Sequence, residues 1–148
     1  MAQPPHFEID GGIYFITTRL KQEGRFLTER EAEIAVKTIL DSSTRKEMTL
    51  YAYVIMPNHM HILIKPMVCG ISKAMQLIKG RSSRQVNGGN FWQKGFFDFG
   101  IFTEEKFREK FNYIHFNPVK WGLVEKPEDY KHSSALAYKL EYGEVFYT

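Results

Sequence analysis

The chain's 148 residues, 43% apolar and 15% aromatic, suffice for one globular domain with its own core and exclude a disordered tail. The first residues, Met-Ala-Gln-Pro-Pro-His-Phe-Glu, lack a basic end followed by an apolar stretch, and no run nears the roughly 18 apolar residues of a membrane span; a cytoplasmic protein with no membrane partner is expected. Net charge is +3 and Cys69 is the only cysteine, so an internal disulfide and a Cys-x-x-Cys site are excluded, and any metal must rest on His, Asn, Gln or carboxylate ligands.

In chain order, residues 12–20 (Gly-Ile-Tyr-Phe-Ile-Thr-Thr-Arg-Leu) are rich in β-branched and aromatic side chains and predict a first strand. Thr28 and Glu31 form a Thr-x-x-Glu capping box, and Ala32, Ala35, Val36, Ile39 and Leu40 recur on one helical face behind it. Thr49 to Met56 predicts a second strand, Pro57-Asn58 a turn, and His59 to Lys65 the returning arm of a hairpin. Ile71, Ala74, Met75 and Ile78 mark a second helix that Gly88-Gly89 stops. Phe91 to Phe102 predicts a fourth strand with a bulge at Gly95.

The order βαββαβ implies an α+β fold, a ferredoxin-like antiparallel sheet with both helices on one face. A third helix is predicted from Glu104 to Asn117, because Pro118 disfavours helical geometry in the residue before it. The remaining tail has Ser133 as a helix cap and an amphipathic Ala135 to Leu140, and either closes the core or packs on a partner. A single domain over residues 1–148 is expected, with a core of about 12–124 and a tail from about 125.

Three patterns in this framework bear on chemistry. His59-Met60-His61 lies in an otherwise apolar strand, and residues two apart share a face, so the two imidazoles can grip one metal ion; the plainer reading is a structural pair. No acid falls between Glu47 and Asp98, whereas Lys65, Lys73, Lys79, Arg81, Arg84 and Lys94 do. Such a window suits a phosphate-rich ligand, or is an ordinary solvated face. On the third helix, Phe107, Phe111 and Ile114 define the buried stripe, while Tyr113 projects roughly 120° from its centre and, four residues before Asn117, shares a face with it.

In combination these residues match a known pattern. The chain resembles the single-tyrosine HUH transposases (His-hydrophobe-His), and among them the REP-associated tyrosine transposase branch. The likeness is carried by Met56-Pro57-Asn58-His59-Met60-His61, by Ile78-Lys79-Gly80-Arg81, by Phe91-Trp92-Gln93-Lys94-Gly95-Phe96-Phe97-Asp98, by Tyr113-Ile114-His115-Phe116-Asn117-Pro118-Val119-Lys120-Trp121-Gly122-Leu123-Val124, and by Ser133-Ser134. It departs from the family at Phe99, where a histidine is common, and carries asparagine at Asn117 where many insertion-sequence relatives have glutamine.

The resemblance implies that His59, His61 and Asn117 bind a divalent metal, Mg²⁺ or Mn²⁺, and that Tyr113 is the catalytic nucleophile of the third helix. The implied activity is DNA transposition through a single-stranded DNA endonuclease and strand-transfer reaction, with a 5′-phosphotyrosine intermediate and a free 3′-hydroxyl. The implied partner is single-stranded DNA with a hairpin, with a homodimer as an open option and a bacterial, nucleoid-associated location. Lys73, Lys79, Arg81, Arg84, Lys94 and Lys120 are candidate phosphate contacts, and Trp92 or the exposed members of Phe96, Phe97 and Phe99 are candidate base-stacking groups. Lys120 and His115 are possible helpers of Tyr113. Two other readings stay open: a non-catalytic nucleic-acid-binding module of the same fold, and a metal-dependent phosphodiesterase that activates water.

Overall fold

A computed structural model describes residues 12–67, 70–86 and 89–146. Cys69 and Gly88, the lone thiol and one half of the Gly-Gly stop, lie outside these. Four strands, β1 (Ile13–Arg19), β2 (Met48–Met56), β3 (His59–Pro66) and β4 (Phe97–Ile101), pair antiparallel in the order β2-β3-β1-β4, the ferredoxin-like arrangement. Among the described residues four α-helices accompany them: α1 (Glu29–Thr44), α2 (Ile71–Arg84), α3 (Glu104–Lys120) and α4 (Ala135–Tyr142). No helix among the described residues is long and apolar enough to cross a membrane.

Alternation along the strands divides the core in two. Ile16, Ile55, Ile62 and Ile64 point to one side and pack on Ala32, Ala35 and Ile39 of α1 and on Ala74, Met75 and Ile78 of α2. Phe15, Val54, Leu63 and Ile101 point to the other and pack on Phe107, Phe111 and Ile114 of α3 and Tyr138 of α4. Both faces are therefore covered, which is why β2 and β3 read as nearly continuous apolar runs. The capping box forms as expected, with Thr28 Oγ1 accepting from Glu31 N–H at 3.1 Å and the Glu31 carboxylate accepting from Thr28 N–H at 2.9 Å.

The C-terminal segment closes the core on its own chain. Ile55 N–H donates to the His132 carbonyl and Ser134 N–H to the Tyr53 carbonyl, at 2.8 and 3.0 Å. The Tyr130 hydroxyl reaches the Ile55 carbonyl at 2.6 Å. These bonds cover the edge of β2, where unpaired backbone groups would otherwise invite a second strand.

Two elements differ from expectation. The fourth strand is confined to Phe97–Ile101; residues 91–96 form a loop, because the Trp92 side chain enters the α1/α2 core and the Lys79 ammonium holds the carbonyls of Gln93 and Gly95 at 2.8 and 2.6 Å. Helix α3 runs past Asn117 to Lys120 with Pro118 inside it. The missing N–H of Pro118 removes one helical bond, yet Trp121 N–H still reaches the Asn117 carbonyl at 3.0 Å. The proline therefore falls in the last turn, where the loss is tolerated.

Candidate active site

The alternation of β3 sends His59 and His61 to the side of the sheet that α3 covers, while Met60 and Ile62 join the opposite core. The two rings meet edge to face at 4.8 Å, and His61 stacks on Phe15 at 5.1 Å. Each ring is held through Nδ1: His59 to the Asn58 Oδ1 at 2.7 Å, and His61 to the hydroxyl of Thr17, its partner across β1, at 2.8 Å. The Asn58 amide oxygen only accepts, so it takes the Nδ1 proton of His59 and leaves Nε2 with a lone pair. Nε2 of His61 is buried and has no partner among the described residues.

Burial keeps both imidazoles neutral. It is the largest cause that drives His59 down to about 4, with the charge of Arg19 second. For His61 burial again leads, joined by the charges of His59, Arg19 and Lys110, and the result is about 3. A neutral imidazole with a free Nε2 is the form that ligates a metal.

Helix α3 supplies the remaining groups. Its Phe107, Phe111 and Ile114 stripe seats it on the sheet, which turns Tyr113 towards the histidines of its own chain. The Tyr113 ring meets His61 at 5.3 Å and Phe15 at 5.9 Å, both edge-on, and remains 38% exposed. Lys120 sits two turns on, its Nζ 5.8 Å from the centre of the Tyr113 ring. One turn beyond Tyr113, Asn117 is 1% exposed, and neither its amide oxygen nor its nitrogen has a partner among the described residues. An amide buried in that state costs about 1–3 kcal/mol, and such groups point to a ligand that satisfies them. Among the described residues there is no group of three His, Cys, Asp or Glu suited to a metal; the two imidazoles and the amide carry no net charge.

The family model for IS200-like transposases matches residues 10–117, a span that takes in the histidine pair, Tyr113 and Asn117. The chain belongs to the IS200-like transposase family. As a member, it is an enzyme of transposition. This transposase is 25% identical over 136 residues to the REP-associated tyrosine transposase of Escherichia coli K12, covering 90% of the chain and 82% of that relative. It is 26% identical over 143 residues to a Haemophilus influenzae protein described as a candidate REP-associated tyrosine transposase, covering 84% and 80%. The fold matches a solved REP-associated tyrosine transposase bound to a REP hairpin, with a TM-score of 0.78 and 24% identity over all of this chain and 92% of that one.

Several residues of the transposase that were candidates for DNA contact turn out to be otherwise engaged. Trp92 is fully buried and cannot stack on a base. Lys79 is buried and its ammonium is taken up by loop carbonyls. Arg81 pairs with Glu47 through both terminal guanidinium nitrogens and also reaches Ser42, so an acid just outside the acid-free window neutralises a cation within it. Lys73, Arg84 and Lys94 are exposed, but α2, which carries the first two, packs on the face opposite the histidines. Of the six basic candidates only Lys120 adjoins Tyr113.

His115 is no helper of Tyr113. It is fully buried, with Nδ1 2.6 Å from the Val145 carbonyl and Nε2 2.7 Å from the Ser134 hydroxyl, and so ties α3 to the C-terminal segment. Phe99 receives the ammonium of Lys110 at 4.9 Å, which lies equally close to Phe15. Phe97 and Phe99 are exposed on β4 and stand opposite Thr17 and Phe15, on the histidine face. Sequence reasoning passed over Arg19, Lys110 and Thr17, all on this face. Thr17 and Arg19 have the same two-residue spacing on β1 as the histidines on β3, which is the signal that could have found them.

Proposed function

We propose that this transposase cleaves and rejoins single-stranded DNA beside a hairpin, with Tyr113 as nucleophile and His59, His61 and Asn117 as ligands of one divalent ion, Mg²⁺ or Mn²⁺. The observation that carries the reading is the Tyr113 ring set edge-on at 5.3 Å to a His61 whose Nε2 is buried and unpartnered among the described residues. Three neutral donors leave an ion's charge undiminished, and an ion held there would supply Lewis-acid relief for a non-bridging phosphate oxygen.

The chain's own residues account for the rest. Asn58 and Thr17 orient the two imidazoles through Nδ1, as outer partners do at metal sites. Phe15 backs the His61 ring and the Tyr113 ring together. The Tyr113 oxygen forms a bond to phosphorus as the bond to the 3′ oxygen breaks; its proton passes to solvent, and the departing 3′ oxygen takes one up. Attack by another strand's 3′-hydroxyl on the phosphotyrosine restores a phosphodiester and frees Tyr113, so the bond energy is conserved without ATP. Because tyrosine and histidines belong to one chain, we read the reaction as one that a single copy performs. Phe97 and Phe99, exposed beside Thr17 and Phe15, offer stacking surface to unpaired bases. The solved relative is bound to a REP hairpin, which supports a DNA hairpin as the partner here.

Incubation with Mn²⁺ and labelled single-stranded DNA carrying a hairpin, resolved on a denaturing gel, tests this. Wild type should leave a protein-bound 5′ end, and Tyr113→Phe should bind the DNA without forming the adduct. Cleavage by Tyr113→Phe would point to activated water, and binding without cleavage by wild type to a non-catalytic module.

A further inference from the structure

Arg19 ends β1 directly across from His59. Opposed residues of an antiparallel pair project to one face, as the 2.8 Å contact between Thr17 and His61, the neighbouring pair, demonstrates. The guanidinium therefore stands on the face that carries His59, His61 and Tyr113. Its side chain is exposed, and among the described residues no carboxylate pairs with it. Its charge is felt at both imidazoles, where it adds to the effect of burial.

The other cations of this face are placed differently. The Lys110 ammonium lies 4.9 Å from the centres of both the Phe15 and Phe99 rings and 3.8 Å from the Glu109 carboxylate. Lys120 lies over the Tyr113 ring itself. Arg19 alone of the three has neither an aromatic seat nor an acid among the described residues, and it stands at the strand end in register with His59.

We propose that Arg19 is a catalytic residue of the cleavage step, its guanidinium engaging a non-bridging oxygen of the phosphodiester that Tyr113 attacks. A phosphodiester under attack spreads its growing negative charge over two non-bridging oxygens, and one divalent ion held by the histidines and Asn117 would relieve only one of them. The second needs its own donor, preorganised where charge develops. The planar, permanently charged fork of arginine matches that oxygen better than a lysine point charge. This inference rests on the tyrosine reading of the site.

The test pairs Arg19→Ala and Arg19→Lys with two hairpin-bearing oligonucleotides, one unmodified and one with a methylphosphonate at the mapped cleavage position, its stereoisomers separated. On unmodified DNA, Arg19→Ala should lower single-turnover adduct formation by about 10²–10³-fold, as removal of one such donor does elsewhere, and Arg19→Lys should recover part of the loss. Mn²⁺ affinity, read by electron paramagnetic resonance, should not weaken. In the stereoisomer that lacks the engaged oxygen, wild type and Arg19→Ala should cleave at similar rates. Arg19→Ala cleaving unmodified DNA at the wild-type rate, or showing the same deficit on every substrate, overturns the role of Arg19 while Tyr113→Phe remains inactive. An adduct still formed by Tyr113→Phe overturns the tyrosine reading itself, and this inference with it.

Discussion

Asn117→Leu should make the metal-free protein more stable and the metal-loaded protein relatively weaker. Asn117 is 1% exposed, with both polar atoms of its amide buried and unpartnered among the described residues. Leaving such a group unsatisfied costs about 1–3 kcal/mol, and leucine copies the branched shape while removing both polar atoms. Allowing for strain from its extra bulk, a gain of about 1–2 kcal/mol in EDTA is expected, or a rise in melting temperature of about 2–4 °C per kcal/mol for a domain of this size. Addition of Mn²⁺ should reverse the ranking. A ligand at a hundred times its dissociation constant adds about 2.7 kcal/mol to a protein that binds it only when folded, and the variant, short of one donor, should gain much less. Urea unfolding of both proteins in EDTA and in Mn²⁺ measures all four values. A variant less stable than wild type in EDTA would mean that the amide has a structural partner, and equal stabilisation of both by Mn²⁺ would remove Asn117 from the ligand set.

Removing the oxygens that hold the imidazoles, by Thr17→Val or Asn58→Ala, should weaken Mn²⁺ binding by about 10–100-fold with the fold intact by circular dichroism; unchanged titrations would show that the rings orient themselves. The two aromatic candidates should separate: Trp92→Ala should destabilise by about 3–5 kcal/mol, as loss of a fully buried ring does, whereas Phe97→Ala should stay within about 0.5 kcal/mol of wild type and lose single-stranded DNA affinity. Equal thermal stability of the two variants contradicts their placement. Burial holds His59, His61 and His115 down to about 4, 3 and 4; since the unfolded chain takes up these protons near pH 6.5 and the folded one does not, stability in EDTA is fully present above that pH and falls as pH drops from there towards 4. A urea midpoint that is flat between pH 7 and pH 5 would show that these rings are solvated.

The local features of this protein were legible in the chain alone, because their physics is local. A capping box needs only Thr28 and Glu31 three residues apart, and it is present. The His59/His61 spacing places both rings on one face of any strand, and the Tyr113/Asn117 spacing places both side chains along one side of any helix. The order of elements, with the short turn between β2 and β3, leads to the sheet that is observed. The family resemblance is what joins these pieces into one candidate site.

What only the tertiary structure decided is what lies beside what, since that depends on partners distant in sequence. A tryptophan in an aromatic run reads equally as a stacking platform or a core residue, and the space between α1 and α2 makes Trp92 the latter. The acid-free window read as free positive charge, but Arg81 meets Glu47 across 34 positions and Lys79 turns inward to carbonyls 14 and 16 residues on. Pro118 marked a helix end by local rules, and α3 continued because its last turn can forgo one hydrogen bond. The converse holds for Arg19: nothing in its own segment distinguishes it, and it becomes a site residue because β1 lies next to β3 with Arg19 in register with His59. Periodicity determines which way a side chain points, and packing determines what it finds there.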